Sequence, residues 1–261
     1  MTKLMGVVNV TPDSFSDGGL YLDPEAAIAH GRKLAKAGAE ILDVGGESTR
    51  PGAAPVDEAE EMRRVVPVIR GLSGIDCQIS VDTSKAAVAA AALDAGATIV
   101  NDVTALRGDP EMAALCAERG CGVVLMHMLG EPRTMQDDPR YGDVVAEVKA
   151  FLAERLEAAV SAAVAEERVW LDPGIGFGKT AAHNLELLRR LGELRELGRP
   201  LVVGTSRKSF IGHLDGSAAD DRLGGTIASS ILAVAEGAEV LRVHDVAEMR
   251  QALTVAAAVL G

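Results

Sequence analysis

Residues 78–102 read QISVDTSKAAVAAAALDAGATIVND, and this stretch decides the fold. Gln78 to Val81 is a short run with β-branched residues, and Ser84 to Ala95 is a run of strong helix formers. Gly96 suits the left-handed end of that helix, and Thr98 to Asn101 is a second β-branched run. A strand, a helix and a strand in succession define a βαβ unit, whose two strands run parallel.

The unit repeats in both directions. Upstream, strands at Leu4 to Val10 and Glu40 to Val44 precede helices at Pro24 to Ala37 and Val56 to Gly71. Downstream, helices at Pro110 to Arg119, Asp143 to Glu166, His183 to Leu197, Asp221 to Glu236 and Val246 to Leu260 alternate with four strands. Those strands are Gly122 to His127, Val169 to Asp172, Pro200 to Gly204 and Glu239 to Val243. Asp23-Pro24-Glu25 and Asp109-Pro110-Glu111 carry an N-cap acceptor followed by proline at the first helical position. Gly38, Gly96, Gly120 and Gly237 close helices and lead into strands. In the longest helix Val144, Val148, Phe151, Leu152 and Leu156 mark one apolar face.

Eight strands are what a closed α/β barrel of the (β/α)₈ TIM type requires. The competing doubly wound sheet places a G-x-G-x-x-G turn after its first strand, which is missing here. The glycine-rich stretch 172–179, DPGIGFGK, follows the sixth strand and lacks the spacing of a phosphate-binding P-loop. With 261 residues, 48% of them apolar, one large core in a single domain over 1–261 is expected.

A formal charge of -12 excludes nucleic acid and anionic membrane as partners, so an anionic ligand must be held by a few local cations. No run approaches the roughly 18 apolar residues of a membrane span. The N-terminal apolar stretch is too short for a signal peptide, which makes a cytosolic location the expectation. Cys77, Cys116 and Cys121 are odd in number and lack zinc spacing, as reduced structural thiols would.

The strand ends carry the functional information, because a (β/α)₈ barrel assembles its site from the loops at the C-terminal ends of its strands. In order, those ends supply Asn9, Asp43, Asp82, Asn101 with Asp102, His127, Asp172, Thr205 with Ser206, and Arg242 with His244. Helix capping is the structural alternative for Asp82 before Thr83-Ser84 and for Asp172 before Pro173, though not for all eight ends at once. Arg242 and His244, two residues apart, point to one face. No serine, cysteine or lysine stands in a nucleophile arrangement.

Asn9-Val10-Thr11-Pro12-Asp13-Ser14-Phe15-Ser16-Asp17-Gly18-Gly19 resembles the first signature loop of the dihydropteroate synthases. The stretch 43–52, DVGGESTRPG, resembles the second loop of that family, and Ser80-Val81-Asp82-Thr83 resembles the end of its third strand. Asn101-Asp102, Leu125-Met126-His127-Met128, Asp172-Pro173-Gly174, Ser206-Arg207-Lys208-Ser209 and Arg242-Val243-His244-Asp245 continue the resemblance across all eight strands.

The resemblance implies an enzyme that joins a dihydropterin pyrophosphate to p-aminobenzoate, releasing pyrophosphate by a dissociative route. It implies pterin binding by Asp82, Asn101 and Asp172, with Lys208 on the carbonyl side and Arg242 stacked on the ring. Carboxylates and an amide suit the ring's row of donors and acceptors. For Lys208 a solvated loop charge is the alternative. Pyrophosphate would meet Thr49, Arg50, Arg242 and His244, with Mg2+ held through the Asn9 amide oxygen. Catalytic roles fall to Asp17, Lys208, Arg242 and His244, and Asp17 reads equally as a turn residue before Gly18-Gly19. The p-aminobenzoate pocket would be formed by Phe15, Thr49, Pro51, Phe177 and Ser209, with Phe15 and Phe177 open to a second reading as loop anchors.

A homodimer, monofunctionality and inhibition by sulfonamides are further implications. Two rivals share parts of the pattern: a methyltetrahydrofolate methyltransferase barrel, which does not require Lys208 or the Arg242-His244 pair, and a catalytically silent pterin-binding paralogue. A Schiff-base aldolase barrel needs a lysine within a strand, whereas Lys208 lies beyond one.

Overall fold

The computed structural model describes residues 2–11, 23–48, 54–131 and 134–260. Among these, eight strands alternate with helices. The first half comprises β1 (Lys3–Asn9), α1 (Pro24–Lys36), β2 (Ile41–Gly45), α2 (Glu58–Leu72), β3 (Gln78–Asp82), α3 (Ala86–Ala95), β4 (Ile99–Asp102), α4 (Met112–Arg119) and β5 (Gly122–Met126). The second comprises α5 (Val144–Ser161), β6 (Val169–Asp172), α6 (Ala181–Arg189), β7 (Val202–Val203), α7 (Ser209–Asp215), α8 (Leu223–Ala235), β8 (Val240–Val243) and α9 (Val246–Leu260).

The stretch at 78–102 folds as its pattern predicts. Gly96 ends α3 at φ +119°, and Asp109 Oδ2 accepts from Ala86 N at 2.8 Å. The Asp109 carboxylate thus spans two helices, because its other oxygen accepts from Glu111 N at 2.9 Å just before α4. Asp23 caps α1 as expected, accepting from Glu25 N, and Gly38, Gly120 and Gly237 also take positive φ.

The parallel sheet runs β6-β5-β4-β3-β2-β1-β8-β7. A bridge between Leu171 and Leu201, with Leu171 N donating to Pro200 O at 2.9 Å, closes it into the barrel. Outward-facing residues pack on the helices in one large apolar cluster. Inside, Met5, Ile41, Ile99, Val124, Val202 and Val240 form a separate cluster with Trp170 against it. This plug fills the lower barrel. Two residues further along the strands, roughly 7 Å higher, the inward positions become Asp43, Ser80, Asn101, Asp172 and Arg242. The barrel is therefore a closed-bottomed cup with a polar floor.

Three elements differ from the sequence reading. β7 shrinks to Val202–Val203, because Pro200 has no N–H to give a ladder and Leu201 joins β6 through an isolated bridge to Leu171. The run from His183 to Leu197 divides at Arg190 into α6 and a 3₁₀ segment, Leu191–Leu197. The run from Asp143 ends at Ser161, where Ala163 turns to φ +68° and Val164 N returns to Ala159 O. The short helix α7 lies in a region with no predicted element.

Candidate active site

Arg242 is the centre of the polar floor. Its Nε donates to Asp43 Oδ2 at 2.6 Å and one Nη to Asp82 Oδ2 at 2.8 Å. Asp43 Oδ2 also accepts from Asn101 Nδ2 at 3.1 Å, so β2, β4 and β8 meet through one fully buried carboxylate, and Arg242 extends the link to Asp82 on β3. Two carboxylates fix the plane of the guanidinium. Asp43 Oδ1 and Ser80 Oγ remain buried without a partner among the described residues. Burial pushes the Asp82 carboxyl up to about 7, with Arg242 opposing and Asp43, Glu61 and Asp102 adding to the rise. Neither Asp82 nor Asp172 is a helix cap.

Asp172, at the end of β6, accepts from Gly174 N at 2.7 Å, and burial raises its pKa. From across the barrel seam comes Lys208, with Nζ 4.0 Å from the centroid of the Phe177 ring. Burial and the neighbouring Arg242 lower the Lys208 ammonium to about 8, while Asp172 and Asp82 hold it up. It is a site cation and not a solvated loop charge. Gly176 makes room for it, since a Cβ there would lie 3.0 Å from Lys208 Cδ. Phe177 packs against Val103, Met126, Met128 and Met135, an apolar wall above β4 and β5. Ser209 begins α7 and is exposed at the rim.

His244 lies one residue beyond β8 and pairs with Ser206, whose Oγ is 2.8 Å from Nδ1. The same Oγ accepts from His244 N at 3.3 Å, and in the tautomer in which its proton is given to Nδ1 the imidazole N–H lies on Nε2. Burial and Arg242 depress the His244 pKa to about 3, which makes the ring a neutral N–H donor. The pair resembles a nucleophile and its base, but Ser206 Oγ is engaged twice and serves to orient the ring. Arg207, held at φ +56°, turns away to Asp245 at 2.6 Å.

His127 and Asp102, both strand-end residues, are structural. His127 is buried with its pKa pushed down to about 3 by burial and Lys179, whose Nζ is 2.8 Å from its Nδ1. Asp102 accepts from Thr104 N, Thr104 Oγ1 and Leu106 N, holding Ala105 and Leu106 at positive φ. Asn9 ends β1, half-buried opposite Gly45. Phe15, Asp17, Thr49, Arg50 and Pro51 lie outside the described residues.

The sequence reading assigned no role to Asp43, to Lys179, or to a cluster at the base of the second loop. In that cluster Lys85 Nζ donates to Glu47 and, at 2.5 Å, to the fully buried Glu61. A cleft of about 670 Å³ opens between this cluster and Asp82, bordered by Thr83, Thr104 and Met128. The available signal for Asp43 was its place inside the apolar run Ile41-Leu42-Asp43-Val44.

For magnesium, the described residues contain no group of three histidine, cysteine, aspartate or glutamate side chains arranged as a cage. A lone amide oxygen at Asn9 fits an ion that takes most ligands from water and substrate phosphates.

A (β/α)₈ cup with three carboxylates, an amide, a lysine and an arginine around its floor defines a pterin-reading barrel. The family model described as "Pterin binding enzyme" matches residues 5–244. The chain is 46% identical over 258 residues to the dihydropteroate synthase of Escherichia coli (strain K12), covering 98% of this chain and 91% of that one. The structure of the Yersinia pestis dihydropteroate synthase with a sulfonamide drug complex superposes with a TM-score of 0.95 at 44% identity, covering 99% and 94% of the two chains. The Xanthomonas albilineans dihydropteroate synthase with 4-aminobenzoic acid gives 0.94 at 51%, covering 100% and 93%. The same organism's enzyme with 7,8-dihydropteroate gives 0.91 at 48%, covering 100% and 94%. The chain belongs to the dihydropteroate synthase family of pterin-binding enzymes and is a transferase.

Proposed function

We propose that the protein condenses 6-hydroxymethyl-7,8-dihydropterin pyrophosphate with p-aminobenzoate to give 7,8-dihydropteroate and pyrophosphate, a step of folate biosynthesis. The observation that carries this is the convergence of Asp82, Asn101, Asp172, Lys208 and Arg242 on one floor. Asp82 and Asp172 accept from the pterin's ring and amino N–H groups, the Asn101 amide serves either sense, and Lys208 donates to the ring carbonyl. Arg242, its plane fixed by Asp43 and Asp82, lies flat against the ring.

The bond between the exocyclic carbon and the pyrophosphate oxygen breaks first, leaving a cation delocalised into the pterin. The amine nitrogen of p-aminobenzoate then bonds to that carbon and loses a proton. Neutral His244, with Nε2–H outward, donates to the departing phosphate, together with Arg242, Thr49 and Arg50. A magnesium ion would be held by Asn9 and supply neutralisation of the leaving charge. Asp17 faces the cation. Phe15, Pro51 and Phe177 form the walls for the aromatic amine, with Thr49 and Ser209 at its polar ends. Sulfonamides occupy the same pocket and compete with p-aminobenzoate.

A cytosolic homodimer completes the proposal. Cys77, Cys116 and Cys121 are free thiols, in keeping with a reducing compartment. Leu232 on α8 and Val255 and Val259 on α9 are 63%, 60% and 78% exposed on helices that pack together, which offers an apolar face to a second copy.

The test is product formation from the pterin pyrophosphate and labelled p-aminobenzoate, with and without magnesium. Magnesium-dependent dihydropteroate and pyrophosphate release, lost in Lys208→Ala, is expected. Tight pterin binding without turnover would instead favour methyl transfer or a silent paralogue.

A further inference from the structure

The segment from Pro173 to Thr180 contains three glycines, and its hydrogen bonds remove the freedom that composition implies. Gly176 O accepts from Gln136 Nε2 at 2.7 Å and Gly178 O from Tyr141 Oη at 2.8 Å. Gly174 N and Gly176 N donate to Asp172 and Asn184, each at 2.7 Å. These glycine N–H groups are taken by Asp172 and Asn184, so the loop is not a phosphate cradle.

At the centre stands Lys179, 3% exposed. Its Nζ lies 2.9 Å from Gly174 O, 2.9 Å from Phe177 O and 2.8 Å from His127 Nδ1, with His127 O more distant at 3.4 Å. An ammonium has three N–H groups, and three close acceptors meet them. His127 is anchored in turn, because its N donates to Asp172 O at 2.9 Å. The clamp therefore ties the end of β5 to the end of β6. The backbones are in such close contact that a Cβ at Gly174 would fall 1.9 Å from His127 O, and one at Gly178 would fall 2.6 Å from Leu129 O.

What the clamp holds is Phe177, whose carbonyl Lys179 binds and whose ring lies under the Lys208 ammonium. No atom of Lys179 is available to substrate, yet it fixes the aromatic side chain against which Lys208 is set. We propose that Lys179 is a positioning residue for the amine-binding half of the site, its Nζ tying His127, Gly174 and Phe177 together and so fixing the Phe177 ring. The functional half of this inference rests on the reading that Phe177 meets p-aminobenzoate.

Lys179→Met keeps the stem and removes the three donors. Two readouts separate the possibilities. In amide hydrogen exchange on the free enzyme, residues 174–178 should exchange about 10-fold faster or more, with β5 and β6 unchanged. In steady-state kinetics the KM for p-aminobenzoate should rise about 10-fold, with that for the pterin pyrophosphate held within about 3-fold. In a Phe177→Leu background Lys179→Met should add little to the KM change, because both act through one ring. Should Lys179→Met fail to fold, His127→Asn and His127→Leu take its place: the first keeps an acceptor near the Nδ1 position and should retain the parental KM, the second should not. Unchanged exchange at 174–178, equal rises in both KM values, or additive losses with Phe177→Leu would overturn the proposal. A parent enzyme that makes no dihydropteroate would remove the functional reading, and the exchange result would still decide whether the clamp exists.

Discussion

Asp82 and Lys208 face one another across the floor with their pKa values drawn together, about 7 and about 8, by burial and by the charges around them. Asp82 must be ionised to accept from a pterin and Lys208 protonated to donate, so kcat/KM should follow a bell with limbs near those values. A pH profile of the parent and of Lys208→Ala checks this, with the alkaline limb lost and activity reduced about 10²–10³-fold in the variant. Asp43→Ala should cost about 3 kcal/mol in urea unfolding, because it strips the buried Arg242 of one of its two carboxylates. His127 and His244 are both held neutral, at about 3 against 6.5 when unfolded. Between those values the unfolded chain binds protons that the folded one refuses, so stability is lost as pH falls through that window. Asp82 acts in the opposite sense between 7 and 3.8. Thermal melts of His127→Asn should therefore show a shallower acid decline than the parent. Asp82, Asn101, Asp172 and Arg242 were legible because a polar residue closing an apolar strand has few structural excuses. Asp43 and His127 were picked out as strand ends in the same way, but their roles were not legible, because their partners Arg242 and Lys179 stand 199 and 52 residues away.

At the level of elements, the loop after β6 shows how little composition says about stiffness. Gly174 is at φ +66°, against the His127 carbonyl, whereas Gly198 is at φ +69° with nothing near its missing Cβ. Gly198→Ala should lose about 1–2 kcal/mol from left-handed strain alone, and Gly174→Ala distinctly more, as measured by denaturant midpoints. The strands and long helices were readable from periodicity and caps, since each is dictated by its own side chains. α7 was not, because Ser209–Asp215 is too short to display a helical period and carries Gly212 within it. β7 was overcalled for the converse reason: Pro200 has no N–H to donate, and Leu201 pairs with Leu171 as an isolated bridge at the barrel's seam, outside the run of the strand.

For the whole molecule, the apolar face on α8 and α9 makes assembly testable. Leu232→Glu combined with Val259→Glu should shift sedimentation from dimer to monomer while leaving the melting temperature of the isolated chain nearly unchanged, since both side chains are exposed. The barrel's closure has a further consequence. Seven of its eight junctions are laddered, and the eighth, between β6 and β7, is a single bridge. Asp172 stands on one bank of that junction and Lys208 on the other. A ligand gripped by both works like a cooper's hoop across the loosest joint between staves, so occupancy should tighten the whole cask. At 100-fold excess over Kd the gain is about 2.7 kcal/mol, and it should be felt first as slowed exchange at the Leu171 amide.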